Sequence, residues 1–240
     1  MSPALELRDV SLGYGQGVIV REARLTLPRG QWLFLVGPNG CGKSTLLRAI
    51  AGLLPTLHGE ILIAGQPLRP DPLPARQSLG FAPPPERLPA ELSGLQALQL
   101  LAHLREPAQA LDDALVLAER LQLTPWLQRP ISQYSLGTRQ KLAALQALMG
   151  RPVLIVLDEV LNGLDPLASW TLQQILRERV EHGASVLLSS HALELAERCA
   201  DRVSLLLDGR LQADWQGTEL AGLKTAAGGL PAAVASRLGG

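Results

Sequence analysis

The nine residues "GPNGCGKST", Gly37–Thr45, follow the apolar run "WLFLV" and precede Leu46, Leu47 and Ile50 at helical spacing. They match G-x-x-x-x-G-K-[ST] without a gap. Glycines at 37, 40 and 42 let a backbone that also carries Pro38, Asn39 and Cys41 curl tightly and turn its N–H groups inward. Such a cup of donors at a helix N-terminus receives the charge of a β-phosphate. Lys43 reaches the β- and γ-phosphates, Ser44 offers a hydroxyl to Mg²⁺, and Thr45 closes the motif. The bland alternative is a glycine turn before a helix; the strand in front and helix behind favour nucleotide binding. Cys41 reads as a small filler, although a neighbouring lysine and a helix N-terminus can also make a thiol reactive.

Working outward, "VLIVLDE" (153–159) gives five apolar residues and then two acids. Runs like this are strands buried on both faces of a parallel sheet, and such sheets bind ligands at the carboxyl ends of their strands. Asp158 there can hold Mg²⁺ directly or through water, leaving Glu159 to orient or deprotonate the attacking water. Either acid alone would be read as a strand end or helix cap. His191 follows another buried run, "SVLLSS", which aims it at the same edge and within reach of a γ-phosphate; a surface histidine at a helix start is the alternative. His58, His103 and His182 have no such placement. Tyr14 in "LGYGQG" either stacks on adenine or is an ordinary turn aromatic.

The rest of the chain frames these motifs. Hydrophobic residues make up 47% of 240, enough for a full core. Basic and acidic side chains number 22 each, which argues against a dedicated nucleic-acid binder. Two cysteines, Cys41 and Cys199, make no disulfide framework or metal spacing. No signal peptide opens the sequence, and no apolar run approaches the roughly 18 residues of a membrane span. Residues 4–36 alternate as strands, and "GEILIAGQPL" (59–68) adds another ending at Gly65. The proline-rich stretch 69–90 reads as loop with a short strand near Leu79–Ala82. Residues 93–128 carry helical spacing behind Ser93 as N-cap. From about 138 onward helices alternate with buried strands, the pattern of a parallel sheet. The expected fold is α/β, a P-loop NTPase with a mainly parallel core sheet, an N-terminal antiparallel β subdomain and a small helical subdomain at about 86–135. The domain is expected over 1–216. Residues 217–240 lack a core pattern and are expected to be a short, loosely held tail.

"QYSLGTRQKLA" (133–143) has no carboxylate, cysteine or histidine, yet heads a helix. Taken in order, the glycine loop, "YSLGTRQK", "VLIVLDEVLNGLD" and "SSHALELAERCADRV" resemble the ATP-binding subunit of ABC transporters, over about residues 4–212. The resemblance implies that Ser135 and Gly137 belong to a signature motif that caps the γ-phosphate of ATP held by a facing subunit. It implies that Tyr14 is the adenine-stacking aromatic and that Gly37–Thr45 hold the phosphates. Asp158 would be the magnesium-associated acid and Glu159 the catalytic glutamate. Asp165 would lie in the loop that communicates across the dimer, and His191 would be the switch histidine. The implied cofactors are ATP and Mg²⁺. The implied partners are a second ATPase subunit, identical or not, and an integral membrane transporter subunit at the cytoplasmic face, with no nucleic acid. The sequence departs from the family at Tyr134, Leu136 and Thr138 in the signature, and at Val160 and Leu161 in place of Pro-Thr. It departs most at Pro84 in "GFAPPPE", where the family carries glutamine or glutamate. A proline side chain binds neither Mg²⁺ nor water, so either Glu86 substitutes through a shift of the loop or the contact is missing or supplied differently. A soluble ATPase switch, a small-molecule kinase and a weakly hydrolysing scaffold are the rivals. The first usually adds a coiled coil or second ATPase half, and the second leaves 133–143 without a role. The signature variant leans toward export.

Overall fold

The computed structural model describes residues 2–15, 17–104 and 109–238. The helical reading of 93–128 crosses residues 105–108, which lie outside the described residues, as do Gln16 of the first turn and residues 239–240 of the tail.

The N-terminal strands β1 (Leu5–Tyr14) and β2 (Gly17–Leu27) form an antiparallel hairpin with Leu5 opposite Leu27. Leu5 and Leu7 point inward, and then the phase shifts, so that Val10 and Leu12 are the next buried pair. The pairing breaks between Leu7 and Val10, where Asp9 takes a φ of 51°. An extra residue at a β-bulge restores the apolar face to the core after a slip that would otherwise expose it. Beyond the central strand β3 (Trp32–Val36) and helix α1 (Lys43–Ile50), β4 (His58–Ile63) pairs with the other edge of β1, and β5 (Gln66–Pro67) completes a four-stranded antiparallel sheet.

The proline-rich segment departs from its expectation as loop. It contains a short helix, α2 (Leu73–Gln77), before the expected strand β6 (Leu79–Phe81). Proline is tolerated in a first turn, where its missing N–H would be unpaired in any case. Pro74 sits there, and the Leu73 N–H donates to Asp71 Oδ1 at 3.0 Å. Helix α3 (Gly94–Ala102) begins with the expected Ser93 cap, closed into a reciprocal box with Gln96. Helix α4 (Ala110–Arg120) and helix α5 (Leu136–Leu148) complete the middle third.

The second half alternates strand and helix: β7 (Leu154–Asp158), α6 (Pro166–Glu181), β8 (Ser185–Ser189), α7 (Leu193–Cys199) and β9 (Arg202–Leu207). With β10 (Arg210–Gln216) they build a six-stranded sheet of order β10-β9-β3-β8-β7-β6, parallel throughout except for the β10 edge. Period-2 alternation divides each central strand between two cores. Trp32, Phe34, Ile155, Leu157, Val186 and Leu188 face the helical side, while Leu33, Leu35, Leu154, Val156 and Leu187 face α1 and the antiparallel sheet. Both faces are covered, which is why these strands read as unbroken apolar runs.

The loosely held tail is corrected. Residues 217–238 form two helices, α8 (Gly217–Thr225) and α9 (Gly229–Leu238), whose Leu220, Leu230 and Val234 are buried in the helical-side core beside Trp215. Glu197 accepts from the Leu230 N–H at 2.6 Å, and Lys224 donates to the Ala200 carbonyl at 2.7 Å. Three anchors spread through a glycine- and alanine-rich stretch suffice to dock it, although they leave a weak amphipathic signal.

Candidate nucleotide site

The parallel register collects the candidate residues at one edge. Leu35 lies opposite Ser189, and Ser189 opposite Asp158, so the loop after β3 and the ends of β7 and β8 converge. The loop's backbone demands its glycines. Gly37, with φ of 154°, packs so that a Cβ would stand 2.1 Å from the Leu206 carbonyl oxygen. Gly42 at φ of 110° leaves only 2.9 Å to the Val20 side chain. Pro38, Asn39, Gly40 and Ser44 are exposed, Thr45 is half-buried, and Lys43 is 5% exposed. Lys43 Nζ donates to the carbonyls of Gly37 at 2.8 Å and Pro38 at 3.0 Å. The ammonium is thus held over its own loop by dipoles that phosphate oxygens can replace. Cys41 is buried, and burial pushes its thiol pKa up, opposed by Lys43. Burial that favours the neutral form fits a small filler better than a reactive thiol.

At the end of β7, Asp158 Oδ1 accepts from Ser189 Oγ at 2.6 Å. The same Oγ accepts from the Glu159 N–H at 3.0 Å. Ser189, fully buried, therefore sets both the carboxylate and the backbone that follows it. The sequence reading assigned Ser189 nothing; its signal was a hydroxyl at the end of a buried strand, interpretable only once the register with Asp158 was known. Glu159 adopts φ of 50°, a left-handed conformation that costs a non-glycine residue about 1 kcal/mol. Its Oε1 stands 2.6 Å from His191 Nε2, and Oε2 accepts from Asn162 Nδ2 at 3.2 Å. His191 thus arrives at the expected edge, where its partner is the Glu159 carboxylate. Asn162 is a second contact that sequence reasoning missed.

Tyr14 is 48% exposed and pairs with Gly17 at the tip of the β1–β2 hairpin. Ile19 and Val20 of the same hairpin pack against Gly42, so the ring belongs to the strand pair flanking the loop. Pro84 is half-buried in extended backbone, φ −53° and ψ 136°, ahead of a 3₁₀ turn at Pro85–Arg87. It presents a carbonyl and no side-chain ligand. Glu86 is exposed on that turn.

Ser135 and Asp165 form a second constellation. Ser135 caps α5: its Oγ accepts from the Thr138 N–H at 3.2 Å and bonds Thr138 Oγ1 at 2.8 Å, while the residue stays exposed. Asp165 caps α6 through the Ala168 N–H at 2.8 Å and lies 3.4 Å from Lys141 Nζ. That N–H, with Lys141 beside it, holds the Asp165 carboxyl below its ordinary value. Gly137 approaches the Gly163 carbonyl so closely that a Cβ would lie 3.0 Å away. Two helix N-termini are thereby tied side by side, open to solvent. Among the described residues no hydrogen bond or ion pair links this pair to Lys43 or its loop.

No group of three or more His, Cys, Asp or Glu among the described residues could hold a metal unaided. The exposed Ser44 hydroxyl and the Asp158 carboxylate nevertheless suit Mg²⁺, which takes few protein ligands and completes its shell with phosphates and water.

A glycine loop between a buried parallel strand and a helix, with an acid at the same edge on the next strand but one, defines a P-loop NTPase. The sequence matches the ABC transporter family over residues 20–162. It is 34% identical over 212 residues to the Nod factor export ATP-binding protein I of Sinorhizobium fredii, covering 86% of this chain and 61% of that one. It is 29% identical over 217 residues to the lantibiotic transport ATP-binding protein SrtF of Streptococcus pyogenes, covering 90% and 93%. The chain spans only 10% of the length of rat ATP-binding cassette sub-family A member 7, to which it is 35% identical over 212 residues. A solved ATP-binding subunit of an ABC transporter superposes with a TM-score of 0.89 at 30% identity, covering 99% of this chain and all of that one. The chain belongs to the ABC transporter family, and its domain is the ATP-binding one.

Proposed function

We propose that the protein hydrolyses ATP as one of a pair of such subunits and drives transport through a separate membrane subunit. The observation that carries this is the division of the phosphate-binding apparatus into two unconnected halves on one chain. The Lys43 loop receives phosphates from one side. The Ser135 turn offers a hydroxyl and a helix N-terminus to an anion that its own loop does not present. Head-to-tail pairing of two chains would place each turn over the other chain's loop.

Within one such composite site, the loop amides and Lys43 hold the β- and γ-phosphates. Ser44 and Asp158 are the residues that would hold Mg²⁺, which would supply positive charge to neutralise the phosphates. Glu159 orients the attacking water and takes its proton. His191, 2.6 Å from Oε1, positions that carboxylate and can release it toward the γ-phosphate. Catalysis is then positioning and electrostatics. Separation of the pair after hydrolysis would transmit work to the membrane subunit.

Among the described residues no helix is long and apolar enough to cross a membrane, which favours a partner as the conduit. The relatives named for export and transport support that role, and the Ser135 signature variant leans the direction toward export. The partner would select the cargo and hold this chain at the cytoplasmic face of the membrane.

Glu159→Gln tests the reading. ATP binding is expected to persist while turnover falls at least about 100-fold, and the variant should elute as a dimer when ATP is present. Normal turnover by that variant would remove Glu159 from its role; a monomer in saturating ATP would remove the pairing.

A further inference from the structure

The opposite edge of the parallel sheet carries a cavity of about 570 Å³ that the nucleotide chemistry does not use. It opens at the N-terminal ends of the central strands. Arg29 precedes β3, Arg151 precedes β7, and Gly183 precedes β8. Strand β7 alone spans about 16 Å between this edge and Asp158, so the two sites are separate. Half-buried Val153 and Ala184 line it with apolar surface, and Arg120 and Arg179 reach it from α4 and α6.

Its charges are unbalanced. Arg120 is satisfied, both terminal nitrogens donating to Glu178 at 2.7 Å. Arg29 gives its Nε to the Ser2 carbonyl at 3.2 Å. Arg179 and Arg151 have no hydrogen-bond or ion-pair partner among the described residues. Arg179 is half-buried, and burial holds its guanidinium pKa below the ordinary value. Asp113 and Glu178 offset this in part, and Arg151 and Arg120 add to it. A desolvated guanidinium facing a like charge is destabilising unless an anion joins it. Two unpartnered planar forks lining one cavity match the oxygens of a phosphate, which can accept from both at once. The volume far exceeds a bare phosphate and falls in the range of organic ligand sites.

We propose that this cavity binds a small phosphorylated organic metabolite, with the dianionic phosphate between Arg151 and Arg179 and the organic portion over Val153 and Ala184. The site is independent of the nucleotide loop and of the transport reading.

The probe is phenyl phosphate, titrated calorimetrically into the full chain saturated with MgADP to block the Lys43 loop. Saturable binding is expected, with a Kd of about 1 mM or tighter. Arg151→Gln and Arg179→Gln should each weaken it at least about tenfold, and Lys43→Ala should leave it unchanged. Benzoate, with one charge, should bind at least about tenfold more weakly. Absence of binding up to about 10 mM overturns the proposal, as does binding indifferent to both arginine substitutions. Binding lost with Lys43→Ala would place the phosphate in the nucleotide loop, and equal affinity for benzoate would overturn the choice of a dianion. Should Arg179→Gln fail to fold, Arg151→Gln carries the test, because Arg151 is exposed.

Discussion

At the scale of single residues, small polar groups fix the geometry of the larger charged ones. Ser189 Oγ holds Asp158 and the backbone of Glu159 together, and Glu159 pays for its left-handed turn with contacts to His191 and Asn162. Asp165 does comparable work at the head of α6, and its lowered pKa yields a signed prediction. The carboxylate is stabilised in the fold chiefly by the Ala168 N–H and then by Lys141. A depressed carboxyl contributes stability that is present above the unfolded value of about 3.9 and is lost as pH falls through the folded value. Asp165→Ala should therefore cost about 1 kcal/mol near pH 7 through loss of the cap. The gap from wild type should begin to narrow below about pH 4 and close as pH falls through the lower folded value, where the native carboxylate itself protonates. Denaturant melts of both proteins at pH 7 and pH 3 measure this. A gap that does not change with pH would show that Asp165 acts through packing and not through its charge.

Elements were legible where their signal was local. The glycine loop, the Ser93 cap and the buried runs of β3, β7 and β8 each carry their evidence within a few residues. The Asp9 bulge, the α2 turn and the Ser189 contacts depend on what lies across the sheet, so no local pattern reports them. The tail fails for another reason: its apolar content is sparse, and its docking rests on Leu220, Leu230 and Val234 meeting α7 and Trp215. The energetic consequence is direct. Leu230 is fully buried, and Leu230→Ala should cost about 2–5 kcal/mol, visible as a lower thermal midpoint. Ending the chain at Gln216 should lower it further, because Trp215 loses its cover. A truncated chain as stable as the full one would restore the loosely held reading. Pro84 belongs to this scale too. Its motif position was legible, and the structure adds that Glu86 faces solvent from the following turn.

For the whole molecule, the question is whether one chain holds a complete nucleotide site or two halves of different sites. In the first case the Lys43 loop and the Ser135 turn serve the same ATP, and each inactivating substitution is final. In the second, a dimer contains two pockets, each built from one chain's loop and the other's turn. The pairing symmetry makes the two cases separable by mixing. Lys43→Ala removes the phosphate lysine from one batch, and Ser135→Arg blocks the exposed turn in another. Each alone should be nearly inactive. In a mixed dimer, one pocket inherits both defects and the other inherits neither, since the intact loop of the Ser135→Arg chain meets the intact turn of the Lys43→Ala chain. Random pairing makes about half of all dimers mixed, so an equal mixture should regain about a quarter of wild-type ATPase activity if the pockets act independently. The recovery should rise with protein concentration, as association demands. If the mixture stays as inactive as its components at every concentration while both chains still dimerise, composite pockets acting independently are excluded, leaving either a site confined to one polypeptide or two pockets that must fire together. A wild-type chain titrated with excess Lys43→Ala separates these: a required pair of pockets predicts inhibition by the inactive partner, and a self-contained site predicts none.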